Sequence, residues 1–504
     1  QMVLMALVIM LAAVSVTFLS ARVAAALGHD LRDNVYRKVI HFSSNEYHKF
    51  STASLITRST NDVQQVQQVM TMMFRIVLYA PILGIGGVLK VLQTDSSMTW
   101  ILGAAVAIIL IVIFVLFQIA MPKFTRLQTL IDRLNLVTRE ILTGIPVIRA
   151  FSREKHEEER FEDANITLTK TNLFVNRCMT FMMPIMMLIM NGVSVAIIYF
   201  GAHGVDNGTM QVGNMMAFIQ YTMQIVMSFL MISMVSIMLP RASVSANRIN
   251  EILETDEVIK DSKEPIKLNP NKKGLVEFKN VSFRYPDSDE EVLSDITFTA
   301  EPGKTTAIIG STGSGKSTIV NLIPRFYDIT SGNLLIDGVD IKNIANKDLR
   351  KIVGFVPQKG ILFSGTIESN IKYGNPEMSD EQMIEAAEIA QATEFIESKP
   401  EKYKEPIAQG GSNVSGGQKQ RLSIARAIAI DPEILVFDDS FSALDFKTDS
   451  TLRAELAKKT KNKTVIIVAQ RINTILNADQ IIVLEDGKVV GKGTHEELIK
   501  TNET

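Results

Sequence analysis

The chain has 504 residues, a formal net charge of −2, 46% hydrophobic and 21% charged residues. Near-neutrality argues against a nucleic-acid binder, which usually carries a basic face, and the one cysteine, Cys178, excludes an intrachain disulfide framework and a four-cysteine zinc site. A mean hydropathy of +0.17 is high for a soluble enzyme, yet so many charges are unusual for a membrane bundle, so the average blends two unlike halves.

Methionine marks the seam: 22 of the 24 lie at or before Met238. Asp, Glu, Lys and Arg are missing from residues 1–21, 76–89, 96–122, 178–205 and 207–240. A bilayer core of about 30 Å takes about 20 apolar residues as helix, because unpaired backbone groups are costly in lipid. Four of the five stretches reach that length. The one at 76–89 reaches it by extending back to Met70, with Arg75 snorkelling or facing other protein. One such run would suit the core of a soluble bundle; five predict membrane spans.

The intervening segments set the topology. Residues 22–69 carry Arg22, Arg32, Arg37, Lys38, Lys49 and Arg58, and residues 123–177 carry Lys123, Arg126, Arg133 and Arg139. The short connections at 93–98 and 203–211 carry no Lys or Arg. The positive-inside rule therefore puts the two long basic loops, and everything after the last span, in the cytoplasm. Five spans leave residue 1 outside, with Gln first and no basic leader, so a further N-terminal span is expected. The loops read as helices that extend the spans, with Gly144 and Pro146 as the only strong breakers. The charged run from Arg153 to Asp163 reads as a solvated helix face.

The last span aligns Met223, Met227, Met231, Met234 and Met238 at helical spacing. Methionine is over-used on promiscuous binding surfaces, so this face suits varied hydrophobic cargo, against helix packing or lipid contact as the plainer reading. Apart from Arg75, no span holds a charge, which favours apolar or amphiphilic cargo. The predicted boundaries are a membrane domain over 1–245, a polar linker over 246–274 with Pro265 and Pro270, and a soluble α/β domain over 275–504.

In that last domain 276–285 alternates like a half-buried strand. TTAIIG (305–310), EILVFD (433–438) and TVIIVA (464–469) are short apolar runs suited to buried parallel strands. The first runs into GSTGSGKST: Gly310, Ser311, Thr312, Gly313, Ser314, Gly315, Lys316, Ser317 and Thr318. This is G-x-x-x-x-G-K-[ST] in its strand–loop–helix setting. Its backbone N–H groups would cradle a polyphosphate at a helix N-terminus. Lys316 would reach the β- and γ-phosphates and Ser317 would coordinate Mg²⁺. The strand at 434–438 ends in Asp438, the expected second acidic ligand of the metal, with Asp439 next to it.

Together with NVSGGQKQR (413–421), placed between the phosphate loop and the acidic strand, these motifs make the chain resemble an ATP-binding cassette (ABC) half-transporter of the exporter type along essentially its whole length. The resemblance implies an α-helical transmembrane bundle, five of six spans being present, followed by an α/β P-loop NTPase domain of the ABC type. It implies ATP and Mg²⁺ as cofactors and a multi-pass position in the cell membrane with the ATPase in the cytoplasm. The partners it implies are the bilayer, a second half-transporter and a hydrophobic small-molecule cargo, with no nucleic acid. The loops at 22–69 and 123–177 become intracellular loops whose tips couple to the ATPase. Tyr285 falls where the family stacks an aromatic on adenine. Gln358 in FVPQ matches the Q-loop, which contacts Mg²⁺. Ser415, Gly416, Gly417 and Gln418 match the signature that caps ATP bound to the partner, and Asp445 matches the D-loop.

Three positions depart from the family's pattern. Asp439 stands where the family has the glutamate that polarises the attacking water. Its carboxylate is set back by over 1 Å, roughly one C–C bond, and a 1 Å misplacement costs about 10²-fold. Gln470 replaces the switch histidine; it keeps hydrogen bonding but not the charge or proton shuttle. Gln409 replaces a glutamate before the signature. The losses fall on the Walker side while the signature is intact. This asymmetry predicts the weakly hydrolytic half of a heterodimeric, multidrug-type exporter, with a lipid or peptide exporter or a mainly regulatory subunit as the alternatives.

Overall fold

In a computed structural model the structure describes residues 1–94, 98–208, 210–268, 273–286, 288–471 and 475–502. The predicted connection at 93–98, the turn at 203–211 and the linker with Pro270 therefore fall partly outside the described residues. The chain divides into two compact units, one of 1–38 with 53–254 and the other of 39–52 with 255–504.

The first unit is helical. It comprises α1 (Met2–Ile40), α3 (Thr52–Thr57), α4 (Val63–Met72), α5 (Tyr79–Thr94), α6 (Thr99–Ala150), α7 (Glu154–Asp206) and α8 (Val212–Glu254), α2 belonging to the other unit. Among the described residues five helices are long and apolar enough to cross a membrane, and each overlaps one of the five uncharged stretches. The helix over 52–94 is not uniform: π-helical turns at Arg58–Asp62 and Met73–Val77 interrupt it. Close packing of α5 on α8 depends on small residues. A Cβ at Gly87 would lie 2.7 Å from Ile225, and one at Gly84 would lie 2.8 Å from Ser228, as expected where helix backbones approach in lipid. Phe218, Ile225 and Ile197 are fully buried at the centre of one apolar cluster of this unit.

The second loop extends its span as a helix, as expected, and neither Gly144 nor Pro146 interrupts it. Helix α6 runs through Pro122 and Pro146 for 52 residues, about 78 Å at roughly 1.5 Å per residue. The chain reverses instead at 151–153. Ser152 adopts φ 50°, and the N–H groups of Arg153 and Ser152 donate to the carbonyls of Ile148 and Arg149. That pairing is a Schellman cap, a stronger stop than a proline whose lost bond faces water.

The second unit joins α2 (Ser44–Lys49) to the α/β domain. The domain contains, in chain order, β1 (Val276–Phe283), β2 (Leu293–Ala300), β3 (Thr305–Gly310), α9 (Lys316–Leu322), β4 (Ser331–Ile336), β5 (Val339–Asp340), α10 (Asn346–Ile352), β6 (Val353–Val356), β7 (Gly365–Thr366) and α11 (Ile367–Ile371). There follow α12 (Asp380–Ile389), α13 (Thr393–Glu397), β8 (Pro406–Ile407), α14 (Gly416–Ala429), β9 (Ile434–Asp438), α15 (Phe446–Lys459), β10 (Thr464–Val468), β11 (Gln480–Glu485), β12 (Lys488–Gly493) and α16 (His495–Thr501). The main sheet has the order β12-β11-β3-β10-β9-β6, parallel except for β12. Strands β9 and β10 are buried at every residue, which is why they read as unbroken apolar runs. An antiparallel sheet, β2-β1-β4-β5, supplies the alternating strand expected at 276–285.

Candidate functional site

The phosphate loop lies between β3 and α9, and its glycines are dictated by backbone geometry. Gly310 has φ 153°, and a Cβ there would sit 2.2 Å from the Leu484 carbonyl oxygen. Gly315 has φ 94° and would press 2.6 Å against Leu293. Only glycine fits either place. Gly313, at φ 87°, is needed for its dihedral alone, since a Cβ would meet nothing within 4 Å. Ser311, Thr312 and Ser314 fill the turn between them, closed by the Ser314 N–H donating to Ser311 O at 3.2 Å.

Lys316 opens α9 and is buried. Its ammonium donates to the carbonyls of Gly310 (2.9 Å) and Ser311 (2.6 Å). Burial lowers its pKa, against the pull of Asp439 and Asp438. Ser317 Oγ donates to Asp438 Oδ1 at 2.8 Å, joining residues 121 apart in sequence. Burial raises the Asp438 carboxyl above its usual range and the Asp439 charge adds to this, while the Ser317 hydrogen bond and Lys316 oppose it. A hydroxyl and a buried carboxylate in contact, beside an ammonium and a glycine loop, fit Mg²⁺ that takes its remaining oxygens from phosphates and water.

Asp439 follows β9 in the left-handed region, φ 46°. Its N–H donates to Val468 O, and its carboxylate accepts from Gln358 Nε2 at 3.3 Å. Gln358 is thus held on Asp439. Gln470, exposed after β10, borders the same narrow crevice as Asp439, together with Phe441 and Ser442. Arg471, which sequence reasoning passed over, donates to the carbonyls of Ser442 (2.8 Å) and Leu444 (3.2 Å), tying the segment after Gln470 to the one before Asp445. Asp445 itself caps α15, accepting from the Thr448 N–H at 3.0 Å, and those bonds hold its carboxyl below the usual range.

Ser415 and Gln418 form a capping box at the start of α14: Ser415 Oγ accepts from Gln418 N, and Gln418 Oε1 from Ser415 N. Their hydrogen bonds satisfy each other, and among the described residues none reaches the phosphate loop. Gly416 is exposed and a Cβ on it would meet nothing, while one on Gly417 would lie 3.3 Å from Ala443 O. The positive end of a 14-residue helix is therefore presented outward on a bare backbone, a geometry suited to an anion.

Tyr285 continues β1. Its hydroxyl lies 3.1 Å from Thr318 Oγ1, and its ring stands edge-on to Phe283 and to Tyr327, 5.3 Å from the latter. Tyr327 in turn meets the loop tip: its hydroxyl is 2.9 Å from His48 Nε2 on α2. The same helix is fixed by Glu46, buried at 4% exposure, which accepts from Ser43 N (2.6 Å) and Val258 N (2.9 Å). Burial pushes the Glu46 carboxyl up, but these bonds outweigh it and leave the pKa lowered. No motif announces His48, Glu46 or Tyr327; the one local signal that could have found them is the Ser43–Glu46 capping-box spacing.

Comparison with known proteins agrees with this architecture. The family described as ABC transporter transmembrane region matches residues 2–229, and the family described as ABC transporter matches residues 293–442. An uncharacterized ABC transporter ATP-binding protein of Mycobacterium tuberculosis is 42% identical over 492 residues, covering 97% of this chain and 84% of its own. An ATP-dependent lipid A-core flippase of Syntrophus aciditrophicus is 33% identical, covering 97% of this chain and 80% of the flippase. A Bacillus subtilis protein provisionally named for multidrug export is 35% identical, with 94% and 82% covered. Among solved structures, a bacterial Atm1-family ABC exporter with ATP bound superposes with a TM-score of 0.79 at 25% identity, covering 95% of this chain and 84% of that one. The chain therefore belongs to the ABC transporters: it is a multi-pass exporter half-transporter whose helical membrane domain precedes a cytoplasmic ATPase domain coupled to transport.

Proposed function

We propose that this half-transporter exports hydrophobic or amphiphilic compounds across the cell membrane as one half of a heterodimer, and that its own ATP site hydrolyses slowly. The carrying observation is the make-up of the crevice at the ends of β9 and β10. Asp439 and Gln470 line it, where a longer carboxylate and an imidazole would orient and deprotonate water. The binding side is unimpaired in composition: the glycine loop, Lys316, Ser317 and Asp438 would hold ATP and Mg²⁺, and Tyr285 would stack on adenine. Bound ATP supplies the phosphoanhydride bond whose hydrolysis drives transport. Asp439 would hold the attacking water from too far back, with Gln358 occupied on the same carboxylate. Ser415, Gly416, Gly417 and Gln418 would close the site of the partner chain, which supplies its own glutamate and histidine.

The test is ATP turnover by this chain purified without a partner. The proposal expects slow turnover that Asp439→Asn changes little. Fast Mg²⁺-dependent turnover that collapses in Asp439→Asn would contradict it. The names of two relatives, one for multidrug export and one a lipid A-core flippase, support amphiphilic cargo and do not separate a drug from a lipid.

A further inference from the structure

Arg75 is the one arginine of the predicted spans. It lies at the centre of the π-helical turn Met73–Val77, where the Leu78 N–H donates five residues back to Met73 O at 3.4 Å. Such turns re-aim side chains and are frequent at functional sites. Arg58, in the other π turn, is satisfied by Glu251 (2.7 Å) and the Arg248 carbonyl. Among the described residues no ion pair or hydrogen bond engages Arg75. A guanidinium within a span is costly unless it faces a cavity or a partner.

It borders an open groove of about 730 Å³ that adjoins a second of about 550 Å³, each within the general range of roughly 300–1,000 Å³ for ligand sites. The larger part is lined on its polar side by Gln68, Thr71 and Arg75, and on its apolar side by Met72, Ile76, Tyr79 and Met231. Gln68 and Thr71 also line the smaller part, with Gln64, Thr60 and Arg32. Thr60, Gln64, Gln68, Thr71, Arg75 and Tyr79 recur every three or four residues, so one helix face carries a polar stripe into the membrane. Thr94, the end of α5, lies 19 residues beyond Arg75, about 28 Å of helix at roughly 1.5 Å per residue, close to the bilayer core of about 30 Å. Arg75, five residues past the predicted start of the span at Met70, therefore lies just inside its cytoplasmic end, within reach of the cytoplasmic-leaflet head groups.

We propose that Arg75, with Gln68 and Thr71, is the head-group subsite for an anionic amphiphile whose tail lies on Met72, Ile76, Tyr79 and Met231. This rests on the exporter reading and narrows its cargo. A carboxylate, sulfate or phosphate head matches the planar fork of an arginine bidentately and neutralises it. Gln68 and Thr71 add neutral donors. Arg32, in the adjoining part, raises the local concentration of anions at the mouth. A cationic amphiphile would meet two like charges and no described carboxylate among the lining residues.

The experiment uses the assembled exporter in phosphatidylcholine nanodiscs. Equilibrium binding of radiolabelled dodecyl phosphate is measured without ATP, dodecyltrimethylammonium being the cationic control and inorganic phosphate the competitor. Arg75→Gln is expected to weaken dodecyl phosphate binding by about 10- to 100-fold, the worth of a charge-assisted contact. Arg75→Lys, which keeps the charge but not the fork, is expected to recover part of it, with the cation unaffected and inorganic phosphate failing to compete. Unchanged binding in Arg75→Gln, or equal loss for the cation, would overturn the proposal and leave Arg75 as a snorkelling residue. Competition by inorganic phosphate would overturn the assignment of a tail site. An assembly that binds dodecyl phosphate as expected yet never hydrolyses ATP would instead contradict the exporter reading.

Discussion

Glu46 ties the tip of the first cytoplasmic loop to the ATPase unit, and replacing it offers a worked test. Its carboxylate accepts from Ser43 N, Ser43 Oγ (2.5 Å) and Val258 N, at 4% exposure. Glu46→Ala removes the acidic half of the capping box at the start of α2, worth about 1 kcal/mol. It also strands the Val258 N–H, and an unsatisfied buried donor costs about 1–3 kcal/mol. The sum, about 2–4 kcal/mol, corresponds to roughly a 30- to 1,000-fold rise in the undocked tip. Hydrogen exchange reads this directly: the amides of 44–50 and of Val258 should exchange faster by that order, with β9 and β10 unchanged. Unaltered exchange at 44–50, in a protein whose β9 and β10 remain protected, would refute the reasoning. The same carboxyl sets a pH dependence. Its folded pKa lies below its ordinary value of 4.5, so the contribution to docking is complete above about pH 4.5 and is lost as pH falls through the lower folded value. Exchange at 44–50 should therefore accelerate only in that acid window, and not in Glu46→Gln.

Three further outcomes follow from the site. Gly310→Ala would force a Cβ to within 2.2 Å of Leu484 O at φ 153°, so ATP binding measured by equilibrium dialysis should be lost along with several degrees of thermal stability. Arg426 donates to the carbonyl and side-chain oxygens of Asn370 and to Ile361 O, and stacks on Phe363 and Tyr373. Arg426→Lys, which cannot reproduce that fork, should destabilise the ATPase unit by about 2 kcal/mol or more in chemical denaturation. In the assembled pair, Gly416→Asp should nearly abolish ATP turnover while Lys316→Ala lowers it only in part; equal loss from both would indicate two equivalent sites.

The sequence made the ATPase core legible wherever local pattern and tertiary role coincide. The strands at 434–438 and 464–468 are buried at every residue and that at 305–310 at its centre, so they read as short apolar runs. The phosphate loop needs glycine at Gly310 and Gly315 for reasons internal to the backbone. The residues not singled out act through distant partners or backbone geometry. Helix α2 packs with the ATPase unit through Glu46 and His48, whose partners Val258 and Tyr327 lie over 200 residues away. The π turns at 58–62 and 73–77 shift the helical phase by one residue without changing composition, so Arg75 read only as a charge near a span end. Pro146 lies inside α6, and the stop at Ser152 is made by backbone bonds that no residue type announces.

The central claim is that this chain's own site holds ATP and hydrolyses it slowly. The most direct test is nucleotide trapping on the assembled exporter with a photoreactive, α-labelled ATP, followed by separation of the two chains after one turnover. The account predicts intact ATP on this chain and ADP on the partner, with Asp439→Glu combined with Gln470→His shifting this chain to ADP. ADP recovered from the unaltered chain as fast as from its partner would contradict it.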